Sequence, residues 1–302
     1  YSFLPEMSIG FWKKFELFSL VWYNLTIRGK NFRRIFFMIQ QTNKAILVVS
    51  FGTSYEASRK ATIEKIEQDI SNAFSAYQVY RAWTSKMIIS VLKKRDNYIV
   101  PTVKEAMEQM IRDGIRELVV QPTHILDGIE NNVMKEEVLS YKESFDKIAF
   151  GNPLLASPED KQKAIDAVNS EFSDLRDSEA LVLMGHGTTH QVNVVYAGLN
   201  KKFKSAGNSN VFIGTVEADP TIHDLVKEVT AFQPSRIYVT PFMIVAGDHA
   251  HNDMAGDSPD SWVSQFKNAG FEVCPVLKGL GEYPRIRAMF VEHTHEAIAS
   301  MQ

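Results

Sequence analysis

The chain has 302 residues, 45% hydrophobic and 23% charged, a globular composition that excludes a fibrous or wholly disordered protein. A formal net charge of −3 argues against nucleic acid as a partner. A single cysteine, Cys274, excludes an intrachain disulfide and any multi-cysteine zinc site.

The first 43 residues stand apart. They carry Lys13, Lys14, Arg28, Lys30, Arg33 and Arg34 against Glu6 and Glu16, interleaved with many aromatics. Their apolar runs are too short to span a bilayer, and no small-residue cleavage site follows them. Three readings stay open: an interfacial basic helix, a degenerate targeting leader, or sequence upstream of a start at Met38. On each reading residues 1–43 contribute no chemistry, and peripheral membrane contact is the role they could play. The expected location is the cytoplasm, with export as the alternative if the segment is a leader.

From Lys44 the chain alternates strand and helix. KAILVVSF (44–51) is a short apolar run ended by Gly52, the pattern of a buried strand. A helical pattern follows in SYEASRKATIEKIEQDISNAF, then a strand in YQVYRAWTS. PTVKEAMEQMIRDG is a helix with Pro101 near its start and Gly114 at its end. IRELVVQPTHI (115–125) is a strand, and the helix after it opens at Ser157 and Pro158. EALVLMGH (179–186), NVFIGTVEA, SRIYVTPFMI and FEVCPVL read as strands. Helices VNVVYAGLNKKFKSAG, DPTIHDLVKEVTAFQP and SWVSQFKNAG separate them, and a closing helix runs from Tyr283. Such alternation predicts an α/β class with parallel sheets flanked by helices.

The alternation repeats itself. AILVVSFGTS in the first half matches ALVLMGHGTT in the second, and RELVVQPTHILDGIE matches SRIYVTPFMIVAGDH. Pro122 falls on Pro241, Gly128 on Gly247 and Glu130 on His249. The expected architecture is two similar α/β domains, 44–178 and 179–302, related by a pseudo-two-fold axis around a central cleft. The C-terminal helix would pack back on the first.

Ligands in α/β folds bind at the carboxyl ends of the strands. Three loops there hold suitable groups: MGHGTTH, HILDGIE and AGDHAHND. His186 lies between Gly185 and Gly187, in a turn that leaves an imidazole open space. Neutral imidazole ligates borderline divalent metals and accepts protons near pH 7. Glu130 adds a carboxylate and His249 a second imidazole, a set that leaves coordination positions free for a substrate. His251, two residues from His249, points the other way in an extended loop. His190 could share the face of His186 on a following turn, and His124 divides between core and cleft. His223, His293 and His295 sit in amphipathic helices and are assigned to the surface. Asp248, Asp253 and Asp257 could cap turns or orient the imidazoles.

The motifs LVVSFGTSY, QPTHILDGIE, MGHGTTH and VTPFMIVAGDHAHNDMAGD together resemble the anaerobic cobalt chelatases of cobalamin biosynthesis, in the class II chelatase superfamily. The likeness covers about residues 44 to 302. It implies ATP-independent insertion of Co²⁺ into sirohydrochlorin, or its reduced precursor precorrin-2, and no cofactor beyond the substrate metal. It also implies that His186, Glu130 and His249 bind the metal and carry the catalysis. The nitrogen and oxygen donors would accept Ni²⁺ or Fe²⁺ as well. Arg81, Lys86 and Arg95 are possible contacts for the carboxylates of the macrocycle. A homo-oligomer is possible. A metal-dependent hydrolase using the same ligands and a non-catalytic tetrapyrrole or metal carrier are the alternatives.

Overall fold

The computed structural model describes residues 42–302. The expectations for the basic, aromatic segment up to Gln41 lie outside the described residues. No helix among the described residues is long and apolar enough to cross a membrane.

Two four-stranded parallel sheets form the frame. The first comprises β1 (Lys44–Ser50), β2 (Gln78–Trp83), β3 (Glu117–Pro122) and β4 (Lys147–Phe150), in the order β2-β1-β3-β4. The second comprises β5 (Glu179–Gly185), β6 (Val211–Thr215), β7 (Arg236–Pro241) and β8 (Val273–Pro275), in the order β6-β5-β7-β8. All pairings are parallel. The two sheets agree in register as well as in order. Val49 pairs with Pro122, and Met184, its counterpart in the repeat, pairs with Pro241. Ser50 pairs with Trp83 and Gly185 with Thr215. The repeat seen in the sequence is therefore a repeat of backbone geometry.

Burial on both faces explains the apolar runs. Side chains alternate across a strand, so each central strand feeds two cores. Ile46 and Val48 of β1 join Leu181 and Leu183 of β5 in one shared core. Ala45, Leu47 and Val49 turn to an outer core of the first sheet, and Ala180, Val182 and Met184 to one of the second.

The helices that follow β1 are α1 (Glu56–Ala61) and α2 (Ile63–Ala73). After β2 come α3 (Lys86–Asp96) and α4 (Val103–Arg112); after β3, α5 (Ile129–Leu139); after β4, α6 (Pro158–Glu171). The second half adds α7 (Val194–Ser205), α8 (Ile222–Phe232), α9 (Trp262–Asn268) and α10 (Pro284–Ala299). Reciprocal capping boxes start three of them: Thr102 with Glu105, Ser157 with Asp160, and Thr221 with Asp224.

Helix α10 packs against α2, α6 and β3. Arg287 pairs with Asp69 at 2.7 Å, and Thr294 Oγ1 donates to Gln121 Oε1 at 3.2 Å. His293 is buried here, 2% exposed, where the amphipathic pattern had assigned it to the surface. Its ring nitrogens face the Asp160 carboxylate at 3.0 Å and the Asn152 carbonyl at 3.1 Å. A helix covered on several sides buries more than one stripe, which defeats a single-face reading. Burial alone would raise the Asp160 carboxyl. The hydrogen bonds from His293 and Ser157 outweigh it and hold the group below the usual carboxylate range. His223 and His295 are exposed.

Candidate metal centre

His186 follows β5 directly, at the carboxyl end of a fully buried strand. Packing requires the glycines on either side of it. A Cβ on Gly185 would lie 2.4 Å from the Tyr196 ring, and Gly187 turns with a φ of +86°, favourable only for glycine. A Cβ on Gly187 would also meet Ala218 N at 2.9 Å. The His186 side chain is left half-exposed, with Nδ1 2.9 Å from the Gly187 carbonyl.

The β5–β6 ladder runs on past the strands. Val216 N donates to the Gly185 carbonyl at 3.0 Å and Glu217 N to the His186 carbonyl at 2.9 Å. This fixes the Glu217 backbone beside His186, and a Glu217 carboxylate oxygen lies 3.6 Å from His186 Nδ1. His249 arrives from the loop after β7, at the start of a π turn over Ala250–Met254. Its Nδ1 lies 2.6 Å from an Asp253 carboxylate oxygen, four residues on. The rings of His186 and His249 meet edge to face, with centroids 4.7 Å apart and planes at 88°.

Ligand atoms of His186, Glu217 and His249 all lie within 4.8 Å of one another. Such a spacing suits one divalent ion held by two imidazoles and a carboxylate, with positions open for other ligands. The structure thus brings together His186 and His249 of the expected set, but the carboxylate that joins them is Glu217. Glu130 is not part of this group. It occupies the first turn of α5, exposed, with Gly128 as the N-cap. In the second half the corresponding loop runs two residues past Gly247 before its π turn starts. The repeat is kept as far as the glycines and lost after them. The rule about strand ends, applied to β6, would have found Glu217.

The loops of the two halves meet crosswise. The β1 loop meets the β7 loop through Tyr55 Oη, 3.4 Å from Asp248, and Ser58 Oγ, 2.7 Å from the Ala246 carbonyl. On the other side, the β3 loop meets the β5 loop. Gly128 packs near Val192. Burial would raise the Asp127 carboxyl, but hydrogen bonds from Asn131 and Lys135 outweigh it and hold the group low. His190 caps the turn that follows, its Nδ1 accepting from Val192 N at 3.2 Å. His251 stacks on Tyr55. Among the basic candidates, Arg81 is bound to Glu67 and to Tyr98, and so is not free for a substrate. Arg95 is exposed; its guanidinium forks onto the neighbouring Asp96 carboxylate at 2.7–2.8 Å and also reaches the Ser54 carbonyl of the β1 loop. Lys86 is exposed in the first turn of α3. Glu217 also borders an open hollow of about 700 Å³ shared with Thr188, His190, Asn193 and Asp219.

The fold is that of the class II chelatases. It resembles SirB from Bacillus subtilis with Fe³⁺ (TM-score 0.60, 14% identity, 85% of this chain and 96% of that one). It also resembles CbiX, described as the terminal enzyme for biosynthesis of siroheme in denitrifying bacteria (TM-score 0.52, 15% identity, 84% and 99%). Sequence narrows the class. Residues 44–299 match the family described as cobalt chelatase (CbiK), and the chain belongs to that family. It is 37% identical to the sirohydrochlorin cobaltochelatase of Salmonella typhimurium over 255 residues, 84% of this chain and 96% of the relative. It is 27% identical to the sirohydrochlorin cobaltochelatase CbiKC of Nitratidesulfovibrio vulgaris over 270 residues, 87% and 93%.

Proposed function

We propose that the chain inserts Co²⁺ into sirohydrochlorin without ATP, in the anaerobic route to cobalamin. The observation that carries the reading is the His186–Glu217–His249 group at strand tips of a cobalt chelatase fold. Insertion replaces two pyrrole N–H protons with one metal ion, so the site must deliver a cation and accept protons. Two imidazoles and a carboxylate hold Co²⁺ in an open coordination sphere, weakly enough for the macrocycle to take it. Asp253 engages Nδ1 of His249 and leaves Nε2 to face the ion. His186, beside both partners, is the proton acceptor. Glu130, at the start of α5, is proposed to act on the macrocycle from the opposite side of the cleft. Arg95 and Lys86 are proposed to meet the substrate carboxylates there.

Mixing the protein with sirohydrochlorin and Co²⁺ should shift the macrocycle's absorption through many turnovers per chain. A shift that stops at one equivalent would mark a carrier and overturn the reading. Two nitrogens and one oxygen also accept Ni²⁺ and Fe²⁺. Steady-state rates with the three ions read the preference, and Co²⁺ is expected to be fastest. We place this chemistry in the cytoplasm and assign residues 1–43 a role outside it. A chain beginning at Met38 should insert cobalt at the full-length rate. The segment should act only in binding anionic vesicles.

A further inference from the structure

Tyr55 belongs to the loop after β1 in the first half; His251 belongs to the π turn over Ala250–Met254, which His249 precedes, in the second. Their rings stack with centroids 4.4 Å apart and planes within 1° of parallel. Tyr55 Oη donates to Asp248 Oδ1 at 3.4 Å, and the same oxygen accepts from Asn252 Nδ2 at 2.9 Å. Tyr55 therefore grips the chain on both sides of His249, at Asp248 before it and at His251 after it. One further hydrogen bond holds the same stretch, and a second side chain lies close to it. Ser58 Oγ donates to the Ala246 carbonyl, and Thr53 Oγ1 is 3.4 Å from the place a Gly247 Cβ would take. Asp253 sets only the rotation of the His249 ring. Within its own half the turn is held by buried Ala250 and Met254 and by His251 N donating to the Gly247 carbonyl at 3.1 Å; Tyr55 and Ser58 add a hold from the other half.

We propose that Tyr55 and His251 form a clasp between the halves that positions His249 against His186 and so tunes the metal site. The proposal rests on the reading of His186, Glu217 and His249 as the Co²⁺ ligands. Tyr55 and His251 are positioning residues, not ligands. A stack of two flat rings fixes separation and tilt together, whereas a lone hydrogen bond leaves tilt free. A metal site needs both, because donors must converge within tenths of an ångström. The clasp also explains a loop otherwise hard to account for. His251 lies two residues from a proposed ligand, and its ring faces the first half of the chain.

The test reads Co²⁺ affinity of the free protein from the visible absorption of bound cobalt, and then kcat and KM for sirohydrochlorin. Tyr55→Ala and His251→Ala should each weaken Co²⁺ binding by about tenfold, the scale of lost support for a metal ligand. The double variant should be little worse than either single one, since one contact is removed in all three. Tyr55→Phe keeps the stack and should restore most of the affinity. Tyr55→Leu fills the space without stacking and replaces the alanine variant if that one melts early. His249→Ala is the control and should abolish tight binding. Wild-type Co²⁺ affinity in Tyr55→Ala, with binding lost in His249→Ala, overturns the clasp and leaves the metal site standing. A raised KM for sirohydrochlorin with Co²⁺ affinity intact also overturns it, by making Tyr55 a substrate contact. Unchanged binding in His249→Ala removes the metal site, and the clasp with it.

Discussion

The two halves of the molecule share strand order and register, yet only one carries a cluster of residues that could hold a metal. At the tip of the first central strand stands Phe51, 45% exposed; at the same place in the second stands His186. The neighbouring strand ends in buried Trp83 in the first half, and in Thr215, two residues before Glu217, in the second. Glu130 and His249 form the third pair. A parallel sheet fixes where a strand ends, because the ladder dictates it, but leaves the residues just beyond free to differ. The frame supplies equivalent positions twice, and the groups that could ligate a metal fall on one side. The other side presents an aromatic tip and supplies Tyr55 to hold the His249 loop.

The largest expected effect falls where the halves differ most. His186→Ala should lower the insertion rate by a factor of about 10²–10⁴, the range for loss of a positioned proton acceptor, and leave the fold intact because the side chain is half-exposed. Phe51→Ala, its counterpart, should leave Co²⁺ affinity unchanged. Cobalt titrations and turnover assays on the two purified variants make the comparison. Equal losses in both would mean that the halves share the metal task.

Next come the glycines that follow these two residues. Gly52 and Gly187 both hold a positive φ, +106° and +86°. A Cβ on Gly52 would fall 2.5 Å from the Trp83 ring; one on Gly187 would press on the backbone of Ala218, next to Glu217. Each alanine variant should lose roughly 2–4 kcal/mol from strained backbone and overpacking. Urea denaturation should find similar losses. Gly187→Ala should weaken Co²⁺ binding more than Gly52→Ala, since that loop carries a proposed ligand itself whereas the Gly52 loop acts through Tyr55.

A smaller effect separates two carboxylates. Glu217→Gln should weaken Co²⁺ binding by roughly 10- to 100-fold, the usual cost of disturbing a ligand set. Glu130→Gln should leave that affinity where it is and lower kcat for sirohydrochlorin. Loss of metal affinity in Glu130→Gln would restore Glu130 to the ligand group.

These pairs also show what the sequence could reveal. Strand tips were legible because apolar β-branched runs end in glycine or proline, and the repeated spacing of Pro122 and Pro241 proved to be shared register. His186 and His249 followed from that. Glu217 was hidden because NVFIGTVEA reads as one strand; the ladder hydrogen bonds do continue to Glu217 although the strand itself stops at Thr215. Helices α3 and α5 and strand β4 were unread. Leu92 is the buried residue of α3, so its pattern gives little stripe to detect, and β4 is a four-residue edge strand. The Tyr55–His251 stack joins residues far apart in the chain, and no local spacing signals it.

His124 gives the smallest expected effect, and it separates the halves by pH. It follows β3, with Nδ1 3.5 Å from Asn131 Oδ1 and Nε2 sealed from solvent without a hydrogen-bond partner, although part of the residue reaches the surface. Burial pushes its pKa down to about 4; the contact with Asn131 opposes the shift and nearby Lys135 adds to it. Its counterpart in the repeat, Met243, does not titrate. In the unfolded chain an imidazole takes up its proton near pH 6.5. Between that pH and about 4, the unfolded state binds a proton that the folded state refuses. Stability therefore falls as the pH drops through this window, and His124 adds no pH dependence above it. From pH 7 to pH 5 the loss attributable to this group should be about 1–2 kcal/mol. His124→Gln keeps a donor for Asn131 and does not titrate. Urea unfolding at pH 7 and pH 5 should show the gap between the two temperature-matched stabilities shrinking in the variant by that amount. An equal acid sensitivity in both proteins would mean that His124 is protonated in the folded state, with water or a carboxylate reaching Nε2.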